Sequence, residues 1–192
     1  IPRAGAVLVT GVSLDRLLDP KLPSHHDFIL QCHAKLTEWS PATFIGYNTI
    51  RFDEPLLRQA FYQNLKPIYL TNTGGNARQD VLPLMRAANA LSPGVFKLPR
   101  NEEGKAAFKL DRLAPANGFT EHNAHDALGD VVATIHLARL IKDRAPNVWR
   151  RAIAFANRSG VEEFVEANDC FYLMDTNRNE GSGFAVTPVG TP

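Results

Sequence analysis

Apolar side chains fall into two rhythms along this chain: short unbroken runs, and longer stretches with an apolar residue at every third or fourth place. The run Ala6-Val7-Leu8-Val9-Thr10, closed by Gly11, predicts a buried strand or the extended lead-in to a turn. Thr43-Phe44-Ile45-Gly46-Tyr47 predicts a second buried strand, and Ile68-Tyr69-Leu70, ahead of the Gly74-Gly75-Asn76 turn, a third. Between the first two runs Phe28, Cys32 and Leu36 recur at a spacing of four with Ile29 beside them. Ser24, three residues before Asp27, gives that stretch a start resembling a capping box, so a helix is expected to end near Trp39. Further helices are predicted from Glu54 to Asn64 and from Asp80 to Leu91, where Pro55 and Pro83 suit first turns. The strongest period belongs to Leu128, Val131, Val132, Ile135, Ala138 and Ile141, a helix running to about Lys142. Strands alternating with helices at this interval define an α/β class.

The remaining stretches are less periodic. Ser92 to Ala107, with two Pro, two Gly and a cluster of charges, predicts a long surface loop, and Asp111 to Asn117 a short helix stopped by Gly118. Shorter helices are expected over Val148 to Ala156 and Val161 to Glu166. Cys170 to Met174 and Phe184 to Val189 then predict two strands around a polar turn. Two strands are marginal by themselves, which makes them the opening of a second β module.

Composition narrows the class. With 44% hydrophobic and 21% charged residues among 192, the chain has the profile of a globular protein rather than a disordered one. Its 21 Lys and Arg against 20 Asp and Glu leave a net charge of +1, too little for a global field toward duplex DNA or a membrane surface. Any nucleic-acid binding must come from a local groove. Cys32 and Cys170 lack zinc-ligand spacing and are expected to be reduced, buried thiols. No apolar run approaches the roughly 18 residues of a membrane span, no signal-peptide layout opens the sequence, and the expectation is a cytoplasmic protein with no membrane partner. The absence of an initiator Met before an immediate strand gives the further expectation that Ile1 is not the natural start.

Two constellations carry candidate chemistry. The first, Gly46-Tyr47-Asn48-Thr49-Ile50-Arg51-Phe52-Asp53, lies between a strand and a helix, where ligand sites of α/β folds gather. Asp53 alone suits a helix start stabilised by the macrodipole, and Arg51 alone a surface charge. Together they set a carboxylate, a guanidinium, a carboxamide and an aromatic ring within six residues, a combination suited to metal, phosphate and base contacts. The second is His125-Asp126-Ala127-Leu128-Gly129-Asp130 at the head of the long helix. Asp130 lies about 200° around the helix from Leu128, on a face distinct from the apolar stripe. A solvated Asp in a first helical turn and a surface His are the plain alternatives. A His ahead of the helix and an Asp five residues on can also set a proton acceptor beside a metal ligand.

Five ordered segments, Ala6 to Ser13, Gly46 to Glu54, Asp80 to Ala90, Lys109 to Gly118 and Ala124 to Ile135, resemble the exonuclease I family of the DEDD superfamily, well over about residues 4 to 145. The resemblance implies a ribonuclease H-like exonuclease fold lacking its amino-terminal strands over residues 1–146. Residues 147–192 would then be linker helices and the start of an SH3-like β domain. It implies a 3′-to-5′ exonuclease that hydrolyses single-stranded DNA to 5′-mononucleotides, with four acidic residues holding two Mg²⁺ or Mn²⁺ ions. Asp53 and Asp130 match two of those acids and His125 the general base. Gly11 is expected to shape the pocket for the 3′ nucleotide, and Asn48, Arg51, Phe52 and Arg78 to contact the strand. Single-stranded DNA and single-strand-binding protein are the implied partners, with a monomer as the implied state. The family's first motif, Asp-x-Glu on a strand, is not found in the sequence, so the chain is expected to be truncated at both ends, to bind metal weakly and to show little activity alone. An RNA-trimming exonuclease of the same superfamily and a non-catalytic binding module for single-stranded nucleic acid are the competing readings.

Overall fold

The computed structural model describes residues 4–120, 127–176 and 182–190. Its order is α1 (Ala4–Thr10), α2 (Leu14–Leu17), α3 (His25–Trp39), β1 (Thr43–Gly46), α4 (Asp53–Gln63), a 3₁₀ turn (Leu70–Asn72), β2 (Ala77–Asp80), α5 (Val81–Leu91), α6 (Leu110–Ala116), α7 (Ala127–Arg144), α8 (Pro146–Ala154), α9 (Arg158–Glu166), β3 (Phe171–Asp175) and β4 (Ser182–Val186). Strands β1 and β2 pair in parallel, Thr43 opposite Ala77 and Gly46 opposite Asp80, with α4 in the crossover between them. Strands β3 and β4 pair antiparallel, Phe171 opposite Val186.

The core lies among α5, α6, α7 and α8, where Val81, Met85, Leu113, Leu137 and Ile141 are fully buried. The loop after α5 folds Phe96 and Phe108 into the same cluster. Asn117 pins that loop, accepting from Lys97 N at 3.0 Å and donating to the carbonyls of Lys97 and Leu113. Its side chain therefore satisfies backbone groups that would otherwise be stranded at the end of α6. The boundary expected after residue 146 falls in the first turn of α8, which packs on α7, and Ala152 of α8 joins the core.

Several expectations are met. Ser24 caps α3, its Oγ accepting from Asp27 N at 3.1 Å. The 92–107 stretch is a loop closed by one bridge between Arg100 and Ala106. Gly118 follows α6 at φ 94, the left-handed conformation in which Gly is uniquely cheap.

Others are corrected. Residues 4–10 form helix α1 instead of a strand, with Leu8 85% exposed and Gly11 N bonded to Val7 O at 2.9 Å. A β-branched run needs a neighbouring strand to satisfy its backbone, and none of the described strands pairs with it, so the bonds close locally. Ile68-Tyr69-Leu70 enters the 3₁₀ turn, and the strand falls at Ala77-Arg78-Gln79-Asp80. That segment is too polar to show in a hydrophobic pattern, but the fold supplies partners for its Arg and Asp. β1 is half-buried and alternating, with one face turned to the protein and the other to solvent, and only one of its edges is paired among the described residues.

The long helix buries Ile141 and packs Ala138 against the core as expected, but over its first turns it presents a different face inward. It buries Ala133, Thr134, Leu137 and Ile141 and leaves Leu128, Val131, Val132 and Ile135 at 70%, 54%, 42% and 43% exposed. Asp130 stands at the head of the buried stripe instead of across from it, since 130, 134, 137 and 141 share one side of a helix. Both cysteines are free thiols as expected, but Cys32 is half-buried and Cys170, in the bend before β3 and outside the core, is exposed. Among the described residues no helix is long and apolar enough to cross a membrane.

Candidate active site

The loop between β1 and α4 is built around a close approach. A Cβ at Gly46 would lie 2.1 Å from Thr49 Cγ2, so only Gly lets Thr49 fold back over the strand end. Thr49 O then accepts from Glu54 N at 2.8 Å, which starts α4, and Asp53 becomes the first helical residue. Asn48 sits at φ 59, a left-handed conformation that Asn tolerates better than most residues. Asp80, at the end of β2 and 3% exposed, reaches across to this loop. Its Oδ1 accepts from Asn48 N at 2.7 Å and its Oδ2 from Ile50 N at 3.2 Å, while Oδ1 also caps α5 through Leu82 N at 3.0 Å.

Two clefts flank the loop. The larger, about 850 Å³, is lined by Tyr47 and Asn48, by Leu82 and Arg86 of α5, by residues 101–103 and 106–112 and by Asp130. It thus brings Tyr47 and Asn48 of the first constellation and the head of α7 to one place, with Arg86, Lys109 and Arg112 as cations and Glu102, Glu103 and Asp111 as acids on its walls. The smaller, about 370 Å³, is more apolar and is lined by Phe44, Ile45, Ile50, Leu57, Asp53 and Arg78 among others. Of the residues singled out in the sequence, Asn48 and Asp130 share the larger cleft and Asp53 and Arg78 the smaller. Gly11, Arg51 and Phe52 line neither, and His125 lies outside the described residues.

Arg78 is held by Glu54, Nη1 to Oε2 at 3.1 Å. That buried carboxylate also accepts from Thr71 Oγ1 at 2.9 Å and has Arg58 Nε at 3.7 Å. A buried acid needs such partners, so Arg78 ties β2 to α4 while one side of it faces the cleft. Asp53 reaches solvent, yet the protein packed beside its carboxyl raises its pKa above the usual carboxylate value; its backbone hydrogen bond opposes this, and the nearby charges of Asp80 and Glu54 add to it. Burial likewise pushes the Tyr47 hydroxyl well up; Arg86 opposes the shift and Asp80 and Asp111 reinforce it. Tyr47 donates its proton to Phe108 O, fastening the loop to the cleft wall.

Asp53 and Asp130 are the hard oxygen donors that Mg²⁺ or Mn²⁺ prefers. Among the described residues, however, no cluster of three or more His, Cys, Asp or Glu is placed to hold a metal, and Asp53 and Asp130 line different clefts, so they fit such a site in kind alone. Sequence reasoning missed Asp80, which resembles any helix cap, and Arg86, whose place in the middle of α5 carries no local signal. Lys109 and Arg112 lie in a segment noted only for its resemblance.

A site at the carboxyl end of a parallel strand pair, with Asn48 from the loop that follows it and Asp130 from a distant helix lining one cleft, defines an α/β exonuclease fold in the light of the relatives. The chain is 38% identical over 168 residues to exodeoxyribonuclease I of Escherichia coli, and 34% identical over 168 residues to that of Haemophilus influenzae, covering 86% of this chain in each case. These matches place the shared stretch in the exonuclease I family. The chain spans 35% of the length of these curated relatives. Escherichia coli exonuclease I in complex with a dT13 oligonucleotide superposes with a TM-score of 0.84 at 31% identity, covering 96% of this chain and 41% of that one. An exonuclease I complex with SSB-Ct and a zinc-bound Escherichia coli exonuclease I–ssDNA complex superpose at 0.80 and 0.79, each at 31% identity over 96% of this chain and 41% and 40% of theirs. No family model matches the chain.

Proposed function

We propose that this chain carries part of the active site of a 3′-to-5′ exonuclease that hydrolyses single-stranded DNA to 5′-mononucleotides. The observation that carries the reading is the single cleft lined by Asn48, from the β1–α4 loop, and by Asp130, from the head of α7. Two elements far apart in sequence converge there with a carboxamide, the cations Arg86, Lys109 and Arg112 for phosphate oxygens, and the carboxylates of Glu102, Glu103, Asp111 and Asp130, a mixed set suited to a phosphodiester only if some of the acids are covered by cations. The relatives' complexes with DNA oligonucleotides favour DNA over RNA as substrate.

Asp53 and Asp130 would hold Mg²⁺ or Mn²⁺, two ions in the complete site, and such ions would supply positive charge at the reacting phosphate. The zinc-bound relative supports a divalent-cation site of this kind. His125, five residues before Asp130, is assigned the water proton on sequence grounds. Arg51 and Phe52, exposed on the loop, would bind backbone phosphate and stack on a base. Gly11 belongs to this proposal as a contact for the terminal nucleotide, and Arg78 as an anchor whose free side meets the strand. A ribonuclease H-like arrangement for 1–146, an SH3-like module opening at β3 and β4, a monomeric state and binding of single-strand-binding protein complete the reading, the last supported by the SSB-Ct complex of a relative.

The test is degradation of 5′-labelled single-stranded DNA with Mg²⁺ by the full natural protein beside its Asp53→Asn variant. A ladder shortening from the 3′ end that the variant abolishes is the expected result. Intact DNA with binding retained would overturn the exonuclease reading.

A further inference from the structure

We infer that Asp80 is a positioning residue for the β1–α4 loop, locking it in the conformation that presents Asn48, Arg51 and Asp53; the functional part of this inference rests on the exonuclease reading. A helix cap needs one acceptor, and Ser, Thr or Asn would serve α5 as well. Asp80 spends both carboxylate oxygens, and two of its three bonds, to Asn48 N and Ile50 N, cross to an element 32 and 30 residues away. A carboxylate is the side chain of this length with two acceptor atoms and no donor, as two converging amides and a cap require.

The loop needs such a lock. Asn48 sits at φ 59, and a left-handed non-Gly residue persists only where its surroundings fix it. Gly46, opposite Asp80 in the parallel register, brings the strand end beside the carboxylate, and the amide of Asn48 is the group it grips. Asp80 itself is buried and lines neither cleft, so its effect on substrate must pass through the loop.

The experiment uses the full natural protein, its Asp80→Ser variant, which keeps a cap acceptor for α5 and cannot reach the loop, and Asp80→Asn, which keeps one of two acceptor oxygens. Amide exchange is followed at Asn48, Ile50 and along α5, and kcat, KM and the salt dependence of single-stranded DNA binding are measured alongside. Asp80→Ser is expected to raise exchange at Asn48 and Ile50 about tenfold, the loss of a hydrogen bond, with α5 still protected. Its kcat should fall on the order of 10²-fold, as for displaced catalytic groups, with the salt slope unchanged because no DNA contact is removed. Asp80→Asn should lie between. Unchanged loop exchange, or loss of protection throughout α5, would overturn the lock, and an unchanged kcat with a freed loop would overturn its role in turnover. If the wild-type protein degrades no DNA, the exonuclease reading fails while the exchange data still decide the lock.

Discussion

Thr49 packs over Gly46 so closely that a Cβ at Gly46 would meet three of its side-chain atoms at 2.1, 2.5 and 2.8 Å. Gly46→Ala must therefore displace Thr49 or the strand end, and overpacking of this kind costs about 1–3 kcal/mol. Chemical denaturation should show that loss. Thr49→Ala in the same chain removes the two closest atoms and leaves Cβ, so the double variant should recover part of the loss, not all of it.

The long helix offers a direct test of which face is inside. Leu137→Ala removes a fully buried side chain and should cost about 2–5 kcal/mol. Ile135→Ser, on the exposed side at 43%, should change stability by less than about 0.5 kcal/mol. Equal losses from the two would restore the face that periodicity favoured.

Glu54 and Arg78 make the third case. Arg78→Met leaves the Glu54 carboxylate with Thr71 and the more distant Arg58, and should destabilise the fold by roughly 1–3 kcal/mol. Arg51→Met should lower the salt slope of single-stranded DNA binding by about 0.7, one phosphate's worth. Thermal melts and salt titrations of both variants separate the two roles.

The acid dependence of Asp53 has an unusual sign. Its folded pKa is raised above the unfolded value of 3.8, so the folded state holds a proton that the unfolded state releases first as pH rises. The group's contribution is favourable below the unfolded pKa and is lost as pH rises through the folded one. Asp53→Asn should thus melt higher than wild type at neutral pH, with the difference shrinking as pH falls through the raised folded pKa and gone below 3.8. A variant that melts lower at neutral pH would contradict the shift.

How far the sequence revealed all this depended on where the stabilising partners lie. Ser24 and Gly118 act within a few residues of themselves, and both ends they mark are where local pattern put them. Strand β2 draws its stability from Glu54, Thr71 and the loop amides, all distant in sequence, so Ala77-Arg78-Gln79-Asp80 carried no hydrophobic signature. In α7 the apolar residues outnumber what one face can hold, and periodicity chose Leu128, Val131 and Ile135 where packing chose Ala133 and Leu137. Asn48, Asp53 and Asp130 stood out because unlike chemical groups crowded into short segments beside element ends. The meeting of Asn48 and Asp130 across a cleft with Arg86 and Lys109, and the turn of Asp53 into the neighbouring cleft, are properties of the folded chain alone.

The Asp80 bridge also has a kinetic meaning. Because Asn48 and Ile50 lie 32 and 30 residues before their acceptor, closing that span costs chain entropy before any bond rewards it. No nascent segment ending before β2 can hold the loop, so the site matures only when the parallel strands zip together. It opens and closes with them as one cooperative unit instead of as an independent hairpin.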